Sequence, residues 1–132
     1  FFFFFDTLNC NRYGRLYTWE AAQQAIPDGW RLPTKDEFEE LLDHLGGEGE
    51  ASYPALAEGG KSGLNLLLGG LRYDDRFLGL ERGGLYWSSS EYDEDIYVLF
   101  MSGKSSRMEY SFQTNFSNMN KKNACSVRCV KV

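Results

Sequence analysis

The strongest local signal in the chain is the helix start Leu32-Pro33-Thr34-Lys35-Asp36-Glu37. Thr34 and Glu37 have the spacing of a capping box, in which each side chain bonds the backbone N–H of the other residue. The acidic residues of the first turn also complement the positive end of the helix dipole. The stretch therefore predicts a helix that begins at Thr34.

The residues on either side of this start extend the prediction. Apolar residues recur downstream at helical spacing and form one face, made of Phe38, Leu41, Leu42 and Leu45. The acidic residues of the same helix are expected in water; they are Glu37, Glu39, Glu40 and Asp43. Gly46 is a typical stop, so the helix should run to about Leu45. A shorter helix is predicted upstream over residues 18–25, with Thr18 as N-cap and Pro27 as stop.

The second half of the chain has the composition of strands. Residues 46–63 read as a loop, and aromatic and β-branched residues become frequent after them. The predicted strands are 85–88, 96–100, 108–112 and 125–130, together with a buried opening strand at Phe1–Phe5. Because helices come early and strands late, we expect an α+β fold with an antiparallel sheet.

Composition and charge limit the classes of function. The 132 residues are 42% hydrophobic and 16% aromatic, which suits one domain with a real core. Fourteen Lys and Arg against 19 Asp and Glu give a net charge of -5, which excludes a general nucleic-acid partner. No run approaches about 18 apolar residues, so we expect no membrane insertion. A start at Phe1 without Met or a basic segment indicates a processed or trimmed chain rather than a signal peptide.

The three cysteines allow at most one internal disulfide. If Cys125 and Cys129 lie on one strand, they are about 13 Å apart at ~3.3 Å per residue, beyond the ~7 Å limit for bridging. Any internal disulfide is therefore expected to involve Cys10. The presence of three cysteines gives weak support to an extracellular location, although the odd number leaves one thiol unpaired.

The residues that catalysis would need are sparse, and we expect no enzyme, metal or cofactor. His44 is the single histidine, and no Gly-x-Ser-x-Gly elbow or phosphate-binding loop occurs. Cys125 and Cys129 favour a structural or free-thiol role over metal or redox chemistry. The acidic run 91–95 favours a solvated loop over a calcium site. The tryptophans are predicted to pack in the core rather than stack on sugars; they are Trp19, Trp30 and Trp87.

Three segments together resemble one family. The first is residues 9–22 and the second is residues 27–38. The third combines residues 86–90 with residues 126–131, which end in Arg128-Cys129-Val130-Lys131. They resemble the Fibrobacter succinogenes major paralogous domain over nearly the whole chain. The resemblance implies a C-type lectin-like fold, with two helices packed on a twisted antiparallel sheet, paired termini and a long loop region that carries the ligand site. Two usual cysteines of the family are replaced here, by Phe2 and Ile26.

The resemblance also implies how the domain is divided and where it binds. It predicts a single domain over 1–132, with a scaffold half (1–70) and a ligand-facing half (71–132). That second half is rich in Tyr, Ser, Asp, Asn and Arg, which from the residues alone fits a contact surface and ordinary polar loops equally well. The candidate ligand-binding residues are Tyr73, Asp74, Asp75, Arg76, Leu78, Tyr92, Asp93, Asp95, Tyr97, Leu99, Arg107 and Tyr110.

The function expected from the resemblance is non-enzymatic binding or display of a protein or glycan ligand, in a secreted or bacterial surface protein. The chain is also similar to variable proteins of diversity-generating retroelements, in which diversified NNY codons cannot encode Trp, Met, Lys, Gln or Glu. Four residues of the same half, outside the candidate set, fail that test: Met101, Met108, Glu109 and Gln113. The compatible candidates are Tyr73, Asp74, Asp75, Arg76, Leu78, Asp93, Asp95, Tyr97 and Leu99. Two alternatives stay open: a structural module that self-assembles through Phe1–Phe5, and an oxidase related to formylglycine-generating enzymes.

Overall fold

The computed structural model describes residues 13–103 and 113–132, which form a mixed α+β fold with antiparallel strand pairs. Its helices are α1 (Trp19–Ala25), α2 (Lys35–His44) and α3 (Tyr53–Leu56). Its strands are β1 (Trp30–Arg31), β2 (Leu71–Tyr73), β3 (Arg76–Leu78), β4 (Gly83–Tyr92), β5 (Asp95–Ser102), β6 (Gln113–Asn120) and β7 (Val130–Lys131). The sheets have the orders β4-β5-β6, β2-β3 and β1-β7. The α+β class predicted from the sequence is confirmed at this level.

The central sheet is built on β5, which is covered on both faces. Side chains of a strand alternate between faces, so Leu99 and Met101 point one way and Ile96 and Val98 the other. The first pair packs with Phe38 and Leu42 of α2 and with Tyr86. The second pair packs with Ala22 of α1, Leu32 and Trp87. The two helices therefore cover opposite faces of the sheet.

The β2–β3 and β4–β5 hairpins are closed by two-residue turns with an aspartate in the first position. Tyr73 pairs with Arg76 and Tyr92 pairs with Asp95, which leaves Asp74-Asp75 and Asp93-Glu94 as the turns. Asp74 and Asp93 both have φ of 51°, in the left-handed region that Asp tolerates better than most residues. The two aspartates thus have a structural role in shaping the turns.

The helix starts predicted from the sequence are confirmed. The Thr18 hydroxyl accepts a hydrogen bond from the Ala21 N–H at the start of α1. Thr34 and Glu37 form the full capping box of α2, with bonds of 3.1 and 2.9 Å. Glu37 was expected in water, but its carboxylate also accepts two hydrogen bonds from the Arg31 guanidinium, at 2.5 and 2.8 Å. This carboxylate is half-buried because it joins β1 to α2.

Several expectations for the second half were wrong. The segment 125–130 is not one strand: Ala124, Cys125 and Ser126 bridge to three different segments, and only Val130 and Lys131 form β7 against β1. Strand β6 was missed because its Gln, Asn and Ser residues have low strand propensity. Helix α3 was missed within the predicted loop 46–63. The predicted strands 1–5 and 108–112 lie outside the described residues.

The tryptophans divide between core and surface. Trp87 is fully buried and donates its indole N–H to the Tyr17 carbonyl at 2.6 Å. Trp19 is half-buried and donates to the Ser88 carbonyl at 2.9 Å. Trp30 is 44% exposed, so its predicted core position is wrong. Strand β1 is only two residues long and pairs with β7 at the surface, which leaves this side chain uncovered.

The capping box of α2 gives a first prediction. Thr34→Ala should lower the free energy of unfolding by about 1 kcal/mol, because the Glu37 N–H loses its hydroxyl acceptor. Thr34→Ser keeps the acceptor and serves as the matched control. Urea unfolding followed by circular dichroism measures both, and equal stability of the two variants would contradict the prediction.

The Arg31–Glu37 ion pair gives a second prediction. The hydrogen bonds from Arg31, followed by that from the Thr34 N–H, lower the pKa of Glu37 from 4.5 to about 2. A lowered folded-state pKa stabilises the protein above the unfolded pKa, and that stability is lost as pH falls from about 4.5 towards 2. Glu37→Gln should therefore be less stable at neutral pH and converge with wild type near pH 2. Urea unfolding across this range measures the effect, with the exposed Glu40→Gln as control; parallel curves for Glu37→Gln and wild type would refute it.

Candidate functional site

The predicted site residues fall into two separate groups in the structure. One group lies on the β2–β3 hairpin and the other at the turn end of the β4–β5 hairpin. Leu71, at the base of the β2–β3 hairpin, packs against the core on the α1 side of the central sheet. Tyr97 shares the α2 side with Leu99 and Met101 by strand alternation. The predicted single site is therefore divided over two sides of the sheet.

The β2–β3 hairpin presents exposed side chains on one face and is fixed through the other. Tyr73 is 50% exposed, Leu78 is 44% exposed, and Arg76 is exposed beside them. We call these three residues the hairpin surface. On the opposite face, Phe77 packs against the cluster of Leu16 and Ala124.

Hydrogen bonds fasten this hairpin to the segment after β6. The backbone of Arg72 exchanges two bonds with Ala124, each 2.9 Å long. The Arg72 guanidinium donates to the carbonyls of Asp74 and Lys122, and the Asp74 N–H donates to the Asn123 side chain. The hairpin surface is thus held on a rigid base.

The second group forms a continuous polar and aromatic surface across three strands. Tyr92 pairs with Asp95, Tyr97 pairs with Asn118, and Asp95 pairs with Asn120, and directly paired residues share a face. We call this set the tyrosine surface: Tyr92, Asp95, Tyr97, Asn118 and Asn120. The rings of Tyr92 and Tyr97 meet edge to face, with centroids 5.2 Å apart and planes at 73°. Such pairs hold both rings in defined positions.

Lys35 of α2 contacts the tyrosine surface at Tyr97. Its ammonium lies 5.1 Å from the ring centre of Tyr97 and 4.8 Å from that of Phe116, and it forms an ion pair with Glu39. The hydrogen bond to Glu39 raises the pKa of Lys35, so the ammonium stays charged. The Lys35 N–H also donates to the Ser90 hydroxyl at 2.9 Å. Tyr97 is therefore held by a cation on α2 as well as by its strand.

Polar groups on the tyrosine surface are free for a ligand. Tyr92 is 46% exposed and Asn118 is exposed, while Tyr97 and Asp95 are half-buried. Among the residues that the structure describes, the hydroxyls of Tyr92 and Tyr97 and the amide of Asn118 form no hydrogen bond with protein. Asn120 differs, because its side-chain oxygen accepts a bond from the Lys122 N–H. The surface thus carries two tyrosine hydroxyls and an amide group that the described hydrogen bonds of the fold do not use.

The remaining candidate ligand-binding residues lie in the core, at the turns or outside the described residues. Leu99 is fully buried in the core on the α2 side, so its prediction as a ligand contact is wrong. Asp74, Asp75 and Asp93 are exposed at the two turns. Arg107 and Tyr110 lie outside the described residues. Asn118 and Asn120 were missed, and only the register of β5 with β6 identifies them as neighbours of the tyrosines.

The two described cysteines are free thiols and do not bridge each other, as expected. Cys125 is fully buried and Cys129 is half-buried, and desolvation raises the pKa of both thiols. An activated thiolate requires the opposite shift. Cys10, the expected partner in any disulfide, lies outside the described residues.

Residues 13–103 and 113–132 contain no cluster of metal-ligating side chains and no long apolar helix. Within those ranges, His, Cys, Asp and Glu side chains do not gather in groups of three or more that could hold a metal ion. No helix there combines the length and apolar character needed to cross a membrane. His44 lies exposed in the last turn of α2.

Comparison with known proteins gives one match, to a family model described as the Fibrobacter succinogenes major domain, over residues 6–131. No curated protein and no solved structure matches the chain. The match includes both hairpins, all of the central sheet and both capped helices.

The free energy of unfolding of single variants tests which candidate residues lie at the surface and which lie in the core. Tyr92→Ala should cost at most about 1 kcal/mol and Asn118→Ala about 0.5 kcal/mol or less, because both side chains are exposed. Leu99→Ala should cost about 2–5 kcal/mol through the cavity it leaves. Urea unfolding measures all three variants. A loss at Tyr92 as large as that at Leu99 would assign Tyr92 to the core.

Proposed function

The chain belongs to the Fibrobacter succinogenes major domain family, and from this starting point we propose that it is a non-enzymatic recognition domain that binds a protein or glycan through the tyrosine surface. The observation that carries the proposal is the set of free polar groups on Tyr92, Tyr97 and Asn118, held on paired strands. These groups take no part in the hydrogen bonds that hold the described fold together.

The chemistry of the tyrosine surface suits equilibrium binding. Tyrosine gives a large contact area at low entropic cost, and amides give adaptable hydrogen bonds, which is the mixture found in binding surfaces. Tyr97 is immobilised beneath Lys35 before any ligand arrives. Because the Tyr92 and Tyr97 rings already contact each other, less conformational entropy is lost at these two residues on binding. The scaffold and the contact surface also use different residues, so the surface can change without loss of the core.

A C-type lectin-like fold is part of the proposal. It is supported by the pairing of β1 with β7, by the two helices beside an antiparallel sheet, and by the long connection between α2 and β4. We place the domain on a bacterial surface or in a secreted protein, as its resemblance to the family implies. The proposed binding is calcium-independent, because the free polar groups of the surface are tyrosine hydroxyls and an amide and Asp95 is a single carboxylate among its five residues.

A retroelement-diversified protein is the sharper form of the same proposal. Positions of the tyrosine surface, such as Asp95 and Tyr97, support it because neither belongs to the buried core, so exchange there leaves the core intact. Leu99 does not, since a polar residue at this buried position would disrupt the α2 side of the sheet. A diversified version would need to keep position 99 apolar.

The two alternative functions have less support. The Phe1–Phe5 segment proposed for self-assembly lies outside the described residues. An oxidase of the formylglycine-generating type would need two thiolates for copper, and burial that raises the pKa of Cys125 and Cys129 does not favour them. Both alternatives remain weaker than ligand binding.

The binding proposal predicts which variants lose ligand. On a glycan array and an array of bacterial envelope proteins, Tyr92→Ala and Tyr97→Phe should weaken wild-type signals at least tenfold, about the effect of losing a binding hot spot. Melting temperatures of the variants show whether they stay folded. Tyr97→Phe removes only the hydroxyl, so it separates binding from packing.

Arg76→Ala is the matched control, because Arg76 is exposed on the hairpin surface. It should leave the signals unchanged. Loss of binding in Arg76→Ala with full binding in Tyr92→Ala would move the site to the hairpin surface. Absence of any wild-type signal would contradict binding of these two ligand classes.

A further inference from the structure

A groove outside both contact surfaces runs between α2 and the segment that leads into β7. Its volume is about 580 Å³, within the range of small-molecule sites. One wall is formed by α2, including Leu41 and His44, and the other by Leu64 and residues 128–130. We call it the α2 groove.

The α2 groove is separated from the tyrosine surface by the body of the helix. At 100° per residue, Lys35 and Glu39 lie on one side of α2, and Glu37, Leu41 and His44 lie about half a turn around it. The first pair contacts or supports Tyr97, and the other three residues line the groove. Occupancy of the groove is therefore independent of the proposed recognition function.

The interior of the groove is apolar. Phe38 and Leu66 form a buried floor, 5% and 4% exposed. Leu41, Leu64 and Val130 line the walls and are only half-buried, although Leu41 and Leu64 also contact the core. A ligand chain placed here would remove this apolar area from water, the main source of affinity in such sites.

The charges around the groove are unevenly distributed. Glu37 is neutralised by its two hydrogen bonds from Arg31. On the opposite wall, the Arg128 guanidinium donates one hydrogen bond, to the Asn65 carbonyl at 3.1 Å. Guanidinium carries five N–H donors and forms paired bonds to carboxylates, so Arg128 is held in place with donors to spare. Glu40 is exposed on the helix rim, where water screens it.

We propose that the α2 groove binds a small amphiphilic carboxylate, such as a medium-chain fatty acid. The chain lies over Phe38 and Leu66, and the carboxylate accepts hydrogen bonds from Arg128. The apolar lining sets the affinity for the chain, and the single cation on the wall selects an anionic head. The site therefore discriminates between amphiphiles of equal chain length by the charge of the head group.

Calorimetric titration with dodecanoate and with dodecyltrimethylammonium, both below their micelle concentrations, tests this selection. Wild type should bind dodecanoate at least about tenfold more tightly, the effect of one charge-assisted hydrogen-bonded pair. Arg128→Gln should abolish the preference, and Arg76→Gln on the hairpin surface is the matched control. Glu40→Gln should strengthen dodecanoate binding. Equal affinity of wild type for the two amphiphiles, or no dodecanoate binding, would overturn the proposal.

Two further measurements locate the ligand. Leu64→Glu places a carboxylate in the groove and should abolish dodecanoate binding, with Leu78→Glu on the hairpin surface as control. Cys129 lines the groove, so dodecanoate should also slow its alkylation by iodoacetamide in the wild-type protein, followed by peptide mass spectrometry. This second measurement decides the location if Leu64→Glu does not fold. Dodecanoate binding without protection of Cys129 would place the ligand elsewhere and overturn the proposal.

Discussion

The burial of β5 on both faces is the constraint on which the rest of the structure depends. Ile96 and Val98 on one side of the strand and Leu99 and Met101 on the other are buried apolar residues, so the sheet needs a cover above and below. Helix α2 supplies one cover and α1, together with Leu32 and Trp87, supplies the other. The capped helix starts at Thr18 and Thr34 fix where these covers begin. The turn end of β4–β5 and its neighbours on β6 extend beyond the buried core, so Tyr92 and Asn118 of the tyrosine surface are exposed.

The sequence predicted well those features of the fold that depend on residues close together in the chain. The starts of α1 and α2 depend on side chains three residues apart, and the strand character of β4 and β5 depends on aromatic and β-branched residues. Strand β6 depends on pairing with β5, which no local preference of its Asn and Gln residues reveals. The candidate site was predictable only where residue type, rather than strand pairing or burial, identifies its members. Tyr92 and Tyr97 were found by residue type, but Asn118 needed the register, and Leu99 was misassigned because an unbroken apolar run does not show which residues stay exposed.

The residues that the sequence groups into one candidate site occupy two separate surfaces in the structure, and a groove lies apart from both. The hairpin surface and the tyrosine surface use exposed residues on opposite sides of the central sheet, and the α2 groove uses the far side of α2. The aspartates that the sequence offered as ligand contacts at Asp74 and Asp93 shape the turns instead. The proposed recognition surface therefore lies on the strands beside the turns, where strand pairing brings tyrosine and asparagine residues together.

The segment 124–131 pairs with four separate parts of the chain. It bridges to Tyr17, Arg72 and Tyr86 and closes β1, so contacts spanning about a hundred residues converge on it. Ribosomes make this segment after every element that it joins. The earlier elements therefore leave the ribosome before their backbone partners in this segment exist. Contacts between residues so far apart in the chain form slowly during folding. During that interval the nascent chain is most exposed to chaperones and proteases.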